Sequence, residues 1–322
     1  MVSSPCFPPI GQPQAVELIN QAIARDRVAP AYLFAGPPGV GRSLGARYFM
    51  AQLLSRSLPP QKGDLLRDRL QRGNHPDVLW VQPTYLHQGK LLSAAEAASA
   101  GLKRKAPPQI RLEQVRSIAQ FLGRPPLEAP RSLVVLEDAD TMAEAAANGL
   151  LKTLEEPGKA TLILIAPGPE SLLPTLVSRC QRIPFYRLTR EAMVQVLASL
   201  GHDELLQHPE VLAIAQGSPG AAIVAWEQIQ AMPPEILDAL HQPPRSLRAA
   251  LTLARQIDQT LDTEAQLWLV DFLQHRYWQQ MAAHGLGSHF LLRLEKTRQH
   301  LLGYAQPRLV WEVTLMELVP KP

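Results

Sequence analysis

One octet constrains this chain more than any other stretch of it: Gly36-Pro37-Pro38-Gly39-Val40-Gly41-Arg42-Ser43, which follows the apolar run 32–35 and opens a helical pattern. A glycine-rich turn from strand to helix lets backbone N–H groups fold inward around phosphate oxygens, and the helix N-terminus adds the positive end of its dipole. Gly36, Gly39 and Gly41 supply the turn, and Ser43 stands where a Mg²⁺-binding hydroxyl belongs. Arg42 departs from the pattern, because a lysine normally reaches the β- and γ-phosphates from this position. Lysine is a compact charge on a flexible stem, whereas arginine is a wide planar fork. Arg42 can neutralise a phosphate but does not fit the lysine slot without displacing something. Two readings stay open here: a loop that binds ATP or ADP, and a loop that survives only as a strand-to-helix turn. Phosphoryl transfer depends almost wholly on positioning and charge, so hydrolysis by this chain is not expected.

Around the loop the chain has the rhythm of a parallel α/β sheet. Runs 78–81, 133–136 and 162–166 are short, and the last two are rich in Val, Ile and Leu without polar alternation, as in strands covered on both faces. Run 182–185 is a weaker fifth strand. Residues 86–108 break the rhythm, passing from Ala and Ser to Lys103-Arg104-Lys105 and then Pro107-Pro108. They read as an exposed, partly helical connection whose basic triplet is solvated charge. Beyond Phe185 the strand patterns cease. Residues 187–232 read as a small helical unit interrupted by Gly217-Ser218-Pro219-Gly220, with Met232-Pro233-Pro234 as a linker. From Glu235 onward the chain is amphipathic helix, broken at Pro243-Pro244, Gly285–Gly287 and Pro307. A length of 322 residues calls for more than one core. The expected domains are an α/β domain over 1–186, a helical lid over 187–232 and an all-helical domain over 233–322.

Composition narrows the classes further. No apolar run approaches the roughly 20 residues of a membrane-spanning helix, and residues 1–9 carry no signal-peptide pattern. Two cysteines, Cys6 and Cys180, make neither a disulfide framework nor a zinc site, which suits a reducing cytoplasm. A net charge of +3 permits contact with nucleic acid without arguing for it. The acidic group Glu137-Asp138-Ala139-Asp140 follows run 133–136. A carboxylate at a strand's C-terminal end beside a phosphate loop is placed to handle Mg²⁺ and an attacking water. Asp140 reads as the cap of a helix starting near Thr141, while Asp138 is left between the two roles.

Taken in order, further motifs carry a resemblance. They are His75-Pro76-Asp77, Ile110-Arg111 through Val115-Arg116, Asn148-Gly149-Leu150-Leu151-Lys152-Thr153-Leu154-Glu155-Glu156-Pro157, Leu173-Pro174-Thr175, Ser178-Arg179-Cys180 and Gly217-Ser218-Pro219-Gly220. With them, nearly the whole chain resembles the AAA+ clamp-loader subunits of bacterial DNA polymerase III, the delta-prime branch in particular, and residues 294–318 resemble that family's collar helix. The resemblance implies an α/β AAA+ fold, a RecA-like parallel sheet with helices on both faces, followed by a helical lid and a helical collar. It implies that Arg179 is an arginine finger acting in trans on ATP held by a neighbouring subunit. It also implies partners: gamma/tau-type and delta-type subunits in a hetero-oligomeric ring, and through them the sliding clamp and primed DNA.

Against the active members of that family, four departures fall in one would-be ATPase site. Lysine is replaced by Arg42, and the Asp-then-Glu order becomes Glu137-Asp138. Ala166-Pro167-Gly168 offers no polar sensor, and Gly220 stands where a second, arginine sensor belongs. The finger motif is intact. Many relatives carry a four-cysteine zinc module where residues 54–74 of this chain have no cysteine, so no metal is expected and His75 and Asp77 read as shaping the turn into the strand at Val78. The main reading is a non-hydrolysing ring subunit that donates Arg179. The alternatives are an active gamma/tau-type motor ATPase and an unrelated P-loop kinase or DNA-remodelling ATPase.

Overall fold

The computed structural model describes residues 7–56, 63–100, 107–156, 158–240, 244–284, 289–303 and 305–319. The basic triplet 103–105 lies outside them. The chain forms two compact units, Met1–His208 with Ala215–Ala221, and Pro209–Ile214 with Ala222–Pro322.

The first unit holds strands β1 (Ala31–Ala35), β2 (Val78–Val81), β3 (Tyr85–His87), β4 (Lys90–Leu92), β5 (Ser132–Leu136), β6 (Ala160–Ala166) and β7 (Gln181–Pro184). Its helices are α1 (Pro13–Ala24), α2 (Arg42–Ser55), α3 (Gly63–Arg72), α4 (Ala94–Ser99), α5 (Leu112–Leu122), α6 (Glu144–Glu155), α7 (Pro174–Val177) and α8 (Arg190–Leu200). Five strands form one parallel sheet in the order β2-β5-β6-β1-β7. Every residue of β1, β5 and β6 is buried, which is why these runs lack polar alternation. Side chains alternate across a strand, so β1 sends Tyr32 and Phe34 toward Phe49 of α2, with ring centroids 5.1 and 6.4 Å away. Its Ala31, Leu33 and Ala35 face the opposite way, into a core with Val115 and Ile118 of α5 and Leu150 and Leu154 of α6. Each fully buried large apolar side chain contributes about 1.5–3 kcal/mol. The sheet and both covering layers are those expected.

The stretch read as an exposed connection contains α4, as expected in part, and also the antiparallel hairpin β3–β4. Its turn is Gln88-Gly89, both with positive φ (48° and 78°), the geometry of a two-residue primed turn.

His75 and Asp77 do shape the entry to β2: the Asp77 N–H donates to His75 Nδ1 at 3.2 Å. An acceptor Nδ1 requires a neutral ring, and burial together with the Arg69 charge lowers the His75 pKa, in spite of Asp77 and Glu128. Asp77 does more. Its buried carboxylate accepts the N–H groups of Leu127, Glu128 and Ala129 at 2.6, 2.8 and 2.7 Å, fixing the loop that leads into β5.

Asp140 does not cap a helix. A 3-10 turn spans Ala139–Thr141, and α6 begins only at Glu144, with Ala143 as its N-cap and no side-chain cap. The delay has a cause. Ile110 donates to Thr141 O and accepts from Ala143 N, which holds this segment extended across Ile110.

Two helices come next in the chain, α9 (Pro209–Ala215) and α10 (Pro219–Ala231). In the second unit, α11 (Pro234–Ala239), α12 (Leu247–Thr260), α13 (Thr263–His284), α14 (His289–Leu302) and α15 (Pro307–Glu317) surround a core centred on the fully buried Trp311. Its indole N–H donates to Gln266 Oε1 at 2.9 Å, and Gln266 Nε2 donates to Leu261 O at 2.9 Å, so the buried amide is satisfied on both sides. The break expected at Pro307 is present, since Pro307 takes the first turn of α15, so residues 294–318, which resemble one collar helix, are two helices. Among the described residues no helix is long and apolar enough to cross a membrane.

Candidate functional site: a self-satisfied phosphate loop and an outward arginine

The loop Gly36–Ser43 connects β1 to α2 at the C-terminal edge of the sheet, where ligands of such folds bind. Gly36 donates to Ala166 O at 3.3 Å, and a Cβ on it would lie 2.3 Å from Phe185 O, so only glycine lets β7 come this close. The rest of the loop is braced by the chain itself, on its acceptor side. Three successive loop carbonyls are held by the chain's own donors: Pro38 O by Ser218 Oγ (2.8 Å), Gly39 O by Gly220 N (3.0 Å) and Val40 O by Gln12 Nε2 (3.1 Å). Gln12 is locked in turn by the Tyr186 backbone, donating to its O at 2.6 Å and accepting from its N at 3.0 Å.

Gly220 therefore does more than omit a sensor. A Cβ there would sit 2.7 Å from Gly39 Cα, backbone against backbone, in a loop whose Gly39 already has φ +76°. No side chain fits. Gly220→Ala is expected to lower stability by about 1–3 kcal/mol in urea unfolding, through displacement of the start of α10 from the loop.

The catalytic positions are as firmly occupied. Ser43 Oγ donates in a short hydrogen bond to Glu137 Oε1, and Glu137 Oε2 accepts from Trp80 Nε1 at 2.9 Å and Gln82 Nε2 at 2.7 Å. Burial pushes the Glu137 pKa up, but the Gln82, Ser43 and Trp80 hydrogen bonds and the Arg47 charge outweigh it and leave it below the ordinary value. Glu137 is thus an ionised acceptor that already takes three hydrogen bonds. Arg47 also stacks on the Trp80 ring, 4.4 Å from its centroid.

Arg42 is 6% exposed, with Nη2 3.8 Å from Asp138 Oδ1 and Nη1 buried without a hydrogen-bond partner. Burial lowers its pKa more than Asp138, Asp140 and Glu137 raise it. Asp138 adopts φ +47° and its pKa is raised, by burial and then by Glu137, against the pull of Arg42. The loop thus brings together all of Gly36, Gly39, Gly41, Arg42, Ser43, Glu137 and Asp138, yet in an arrangement where the metal-site hydroxyl already serves a carboxylate. The spare Arg42 Nη1 suits an anion, whereas the Ser43–Glu137 bond occupies the hydroxyl that a Mg²⁺–nucleotide would need. Among the described residues no cluster of three or more His, Cys, Asp or Glu is placed to hold a metal.

Arg179 takes no part in this. It lies just beyond α7, and its guanidinium donates from Nη1 to Thr175 O at 2.9 Å and from Nη2 to Glu155 Oε1 at 2.8 Å. Its side chain keeps 37% of its exposure. Neighbouring Cys180 packs against the core and burial raises its thiol to about 11, so it is an unreactive filler.

Gln12 and Ser218 are not singled out as site residues by the sequence. Gln12 precedes Pro13 at a helix N-cap without capping it, and an amide at such a position is a weak hint that its side chain serves elsewhere. Ser218 lies before Pro219-Gly220 and does cap α10, accepting from Ala221 N at 3.1 Å, while also holding the loop.

Known proteins share this chain's sequence over both of its halves. The family model described as DNA polymerase III, delta subunit, matches residues 11–189, and the one described as cyanobacterial DNA polymerase III delta prime, C-terminal domain, matches residues 191–318. The chain belongs to the DNA polymerase III delta-prime family. DNA polymerase III subunit delta' of Bacillus subtilis is 33% identical over 186 residues, covering 56% of this chain and 50% of that protein. The Pseudomonas aeruginosa subunit delta' is 34% identical over 208 residues, covering 63% and 57%. DNA polymerase III subunit tau of Bacillus subtilis is 24% identical over 205 residues, covering 62% of this chain and 32% of tau. The matched stretch thus spans about half the length of the delta-prime relatives.

Proposed function

We propose that this chain is the delta-prime subunit of a DNA polymerase III clamp loader, a ring member that does not hydrolyse ATP and instead presents Arg179 to ATP held by a neighbour. The observation that carries the reading is an asymmetry. In the chain's own site Ser43 is bonded to its acidic partner Glu137 and Arg42 lies buried in the lysine position, while Arg179 stands partly exposed beside none of them. A guanidinium delivered from outside stabilises charge building on a γ-phosphate, the role of arginine fingers elsewhere. Residues 187–232 serve as a lid and 233–322 as a collar through which the chain assembles. Its neighbours in the ring are gamma/tau-type and delta-type subunits, with the sliding clamp and primed DNA engaged through them, in the cytoplasm.

The purified chain alone is expected to show no ATP turnover above background in a coupled phosphate-release assay. Robust turnover that disappears in Ser43→Ala would overturn the proposal and favour a motor subunit of the gamma/tau type.

A further inference from the structure

The Arg179 guanidinium is not simply exposed; it is held, and the residue that holds it is Glu155. We infer that Glu155 is a positioning residue that orients Arg179 for an anion bound by a neighbouring subunit. This role rests on Arg179 being a finger in trans.

Three observations carry it. First, the backbones on both sides are fixed: Leu154 of α6 and Leu176 of α7 are buried in the same core, so the end of α6 and the Arg179 turn have a set separation. Second, Glu155 ends α6, where the negative end of the helix dipole disfavours a carboxylate. Its placement therefore does not serve the helix, whereas it does serve Arg179, 2.8 Å away. Third, the donor count leaves room for a ligand. Arginine has five N–H donors in a rigid fork, and Glu155 and Thr175 O take one each from Nη2 and Nη1. The Nε–H and one N–H on each terminal nitrogen remain. Two anchors of different kinds, a carboxylate and a helix-end carbonyl, thus hold one N–H on each terminal nitrogen. A long, flexible side chain otherwise loses rotamer entropy at the moment it meets its target, and anchoring removes that cost in advance.

The test uses the assembled complex with an ATP-hydrolysing gamma/tau-type subunit. Glu155→Gln is expected to lower kcat at the site Arg179 reaches by about 10-fold, read by phosphate release from that site, with KM for ATP little changed, as for an interaction made only in the transition state. Glu155→Asp should recover part of the loss. Complex assembly by size exclusion and thermal stability of the chain should stay as in the parent, which separates positioning from folding. The double variant with Arg179→Ala should be no slower than Arg179→Ala alone, because Glu155 acts only through Arg179. If Glu155→Gln leaves kcat unchanged or raises it while Arg179→Ala lowers it, the positioning role is wrong and the finger stands. Additive losses in the double variant overturn it equally. An Arg179→Ala complex with undiminished turnover removes the finger and this inference with it.

Discussion

Arg179→Ala is expected to lower ATP turnover of the assembled complex by about 10³-fold at the site Arg179 reaches, while the isolated chain folds as before. The two halves of the prediction have separate physical grounds. The side chain is partly exposed and its ion pair with Glu155 joins two partly exposed groups, a class worth about 0–1 kcal/mol. Its bond to Thr175 O caps a short helix that is already anchored by the buried Leu176. Stability should therefore change by less than about 1 kcal/mol. The kinetic loss is expected to be large because, in the proposed role, a fork of charged donors meets γ-phosphate charge that grows in the transition state. Stopped-flow phosphate release from a complex with one altered copy of this chain measures it. Averaging over several active sites in a ring would show a smaller bulk decrease, so the readout must isolate the affected site.

The largest stability effect is expected at Asp77. Asp77→Ala removes one acceptor from three backbone N–H groups at once, those of Leu127, Glu128 and Ala129. Stranding a buried donor costs about 1–3 kcal/mol. Water reaches part of this loop, so the loss should total about 3 kcal/mol, or roughly 6–12 °C in Tm for a unit of this size. Asp77→Asn, which keeps one oxygen, should fall between. The consequence also depends on pH. Burial raises the Asp77 pKa, but the three N–H groups and His75 outweigh it and leave the carboxyl below its ordinary value. A depressed carboxyl pKa contributes stability that is present above the unfolded value of about 3.9 and lost as pH falls through the folded one. The parent should therefore weaken below about pH 4, and Asp77→Asn should show a flatter acid limb in denaturant titrations at stepped pH. A variant as stable as the parent, or as steep in acid, would discount the loop-fixing role.

The sheet is legible from local pattern. Runs 78–81 and 133–136 fall within strands β2 and β5 because an all-apolar, β-branched run bounded by turn residues has few other places to go. The hairpin β3–β4 escapes such a reading because its turn is Gln88-Gly89 where the strong signal is Asn-Gly or Asp-Gly. Asp140 misleads because a carboxylate before a helical pattern is the usual cap, whereas here Ile110, distant in sequence, holds the chain extended until Ala143.

The site divides along the same line. The presence of a degenerate phosphate loop, of Glu137 and Asp138 after a strand, and of Arg179 in Ser178-Arg179-Cys180 comes from residue types at fixed spacing, which the sequence by itself determines. How the loop is braced is a tertiary fact. Ser43 meets Glu137 across 94 residues, and Ser218 meets Pro38 across 180. Nor does any local pattern say that Gly220 is needed for its lack of a side chain, or that Glu155 faces Arg179. A hydrogen bond between distant residues depends on where the sheet register and helix packing place two side chains, to within a few tenths of an ångström. Periodicity and motif spacing name the groups; only the folded chain decides which of them have already found a partner.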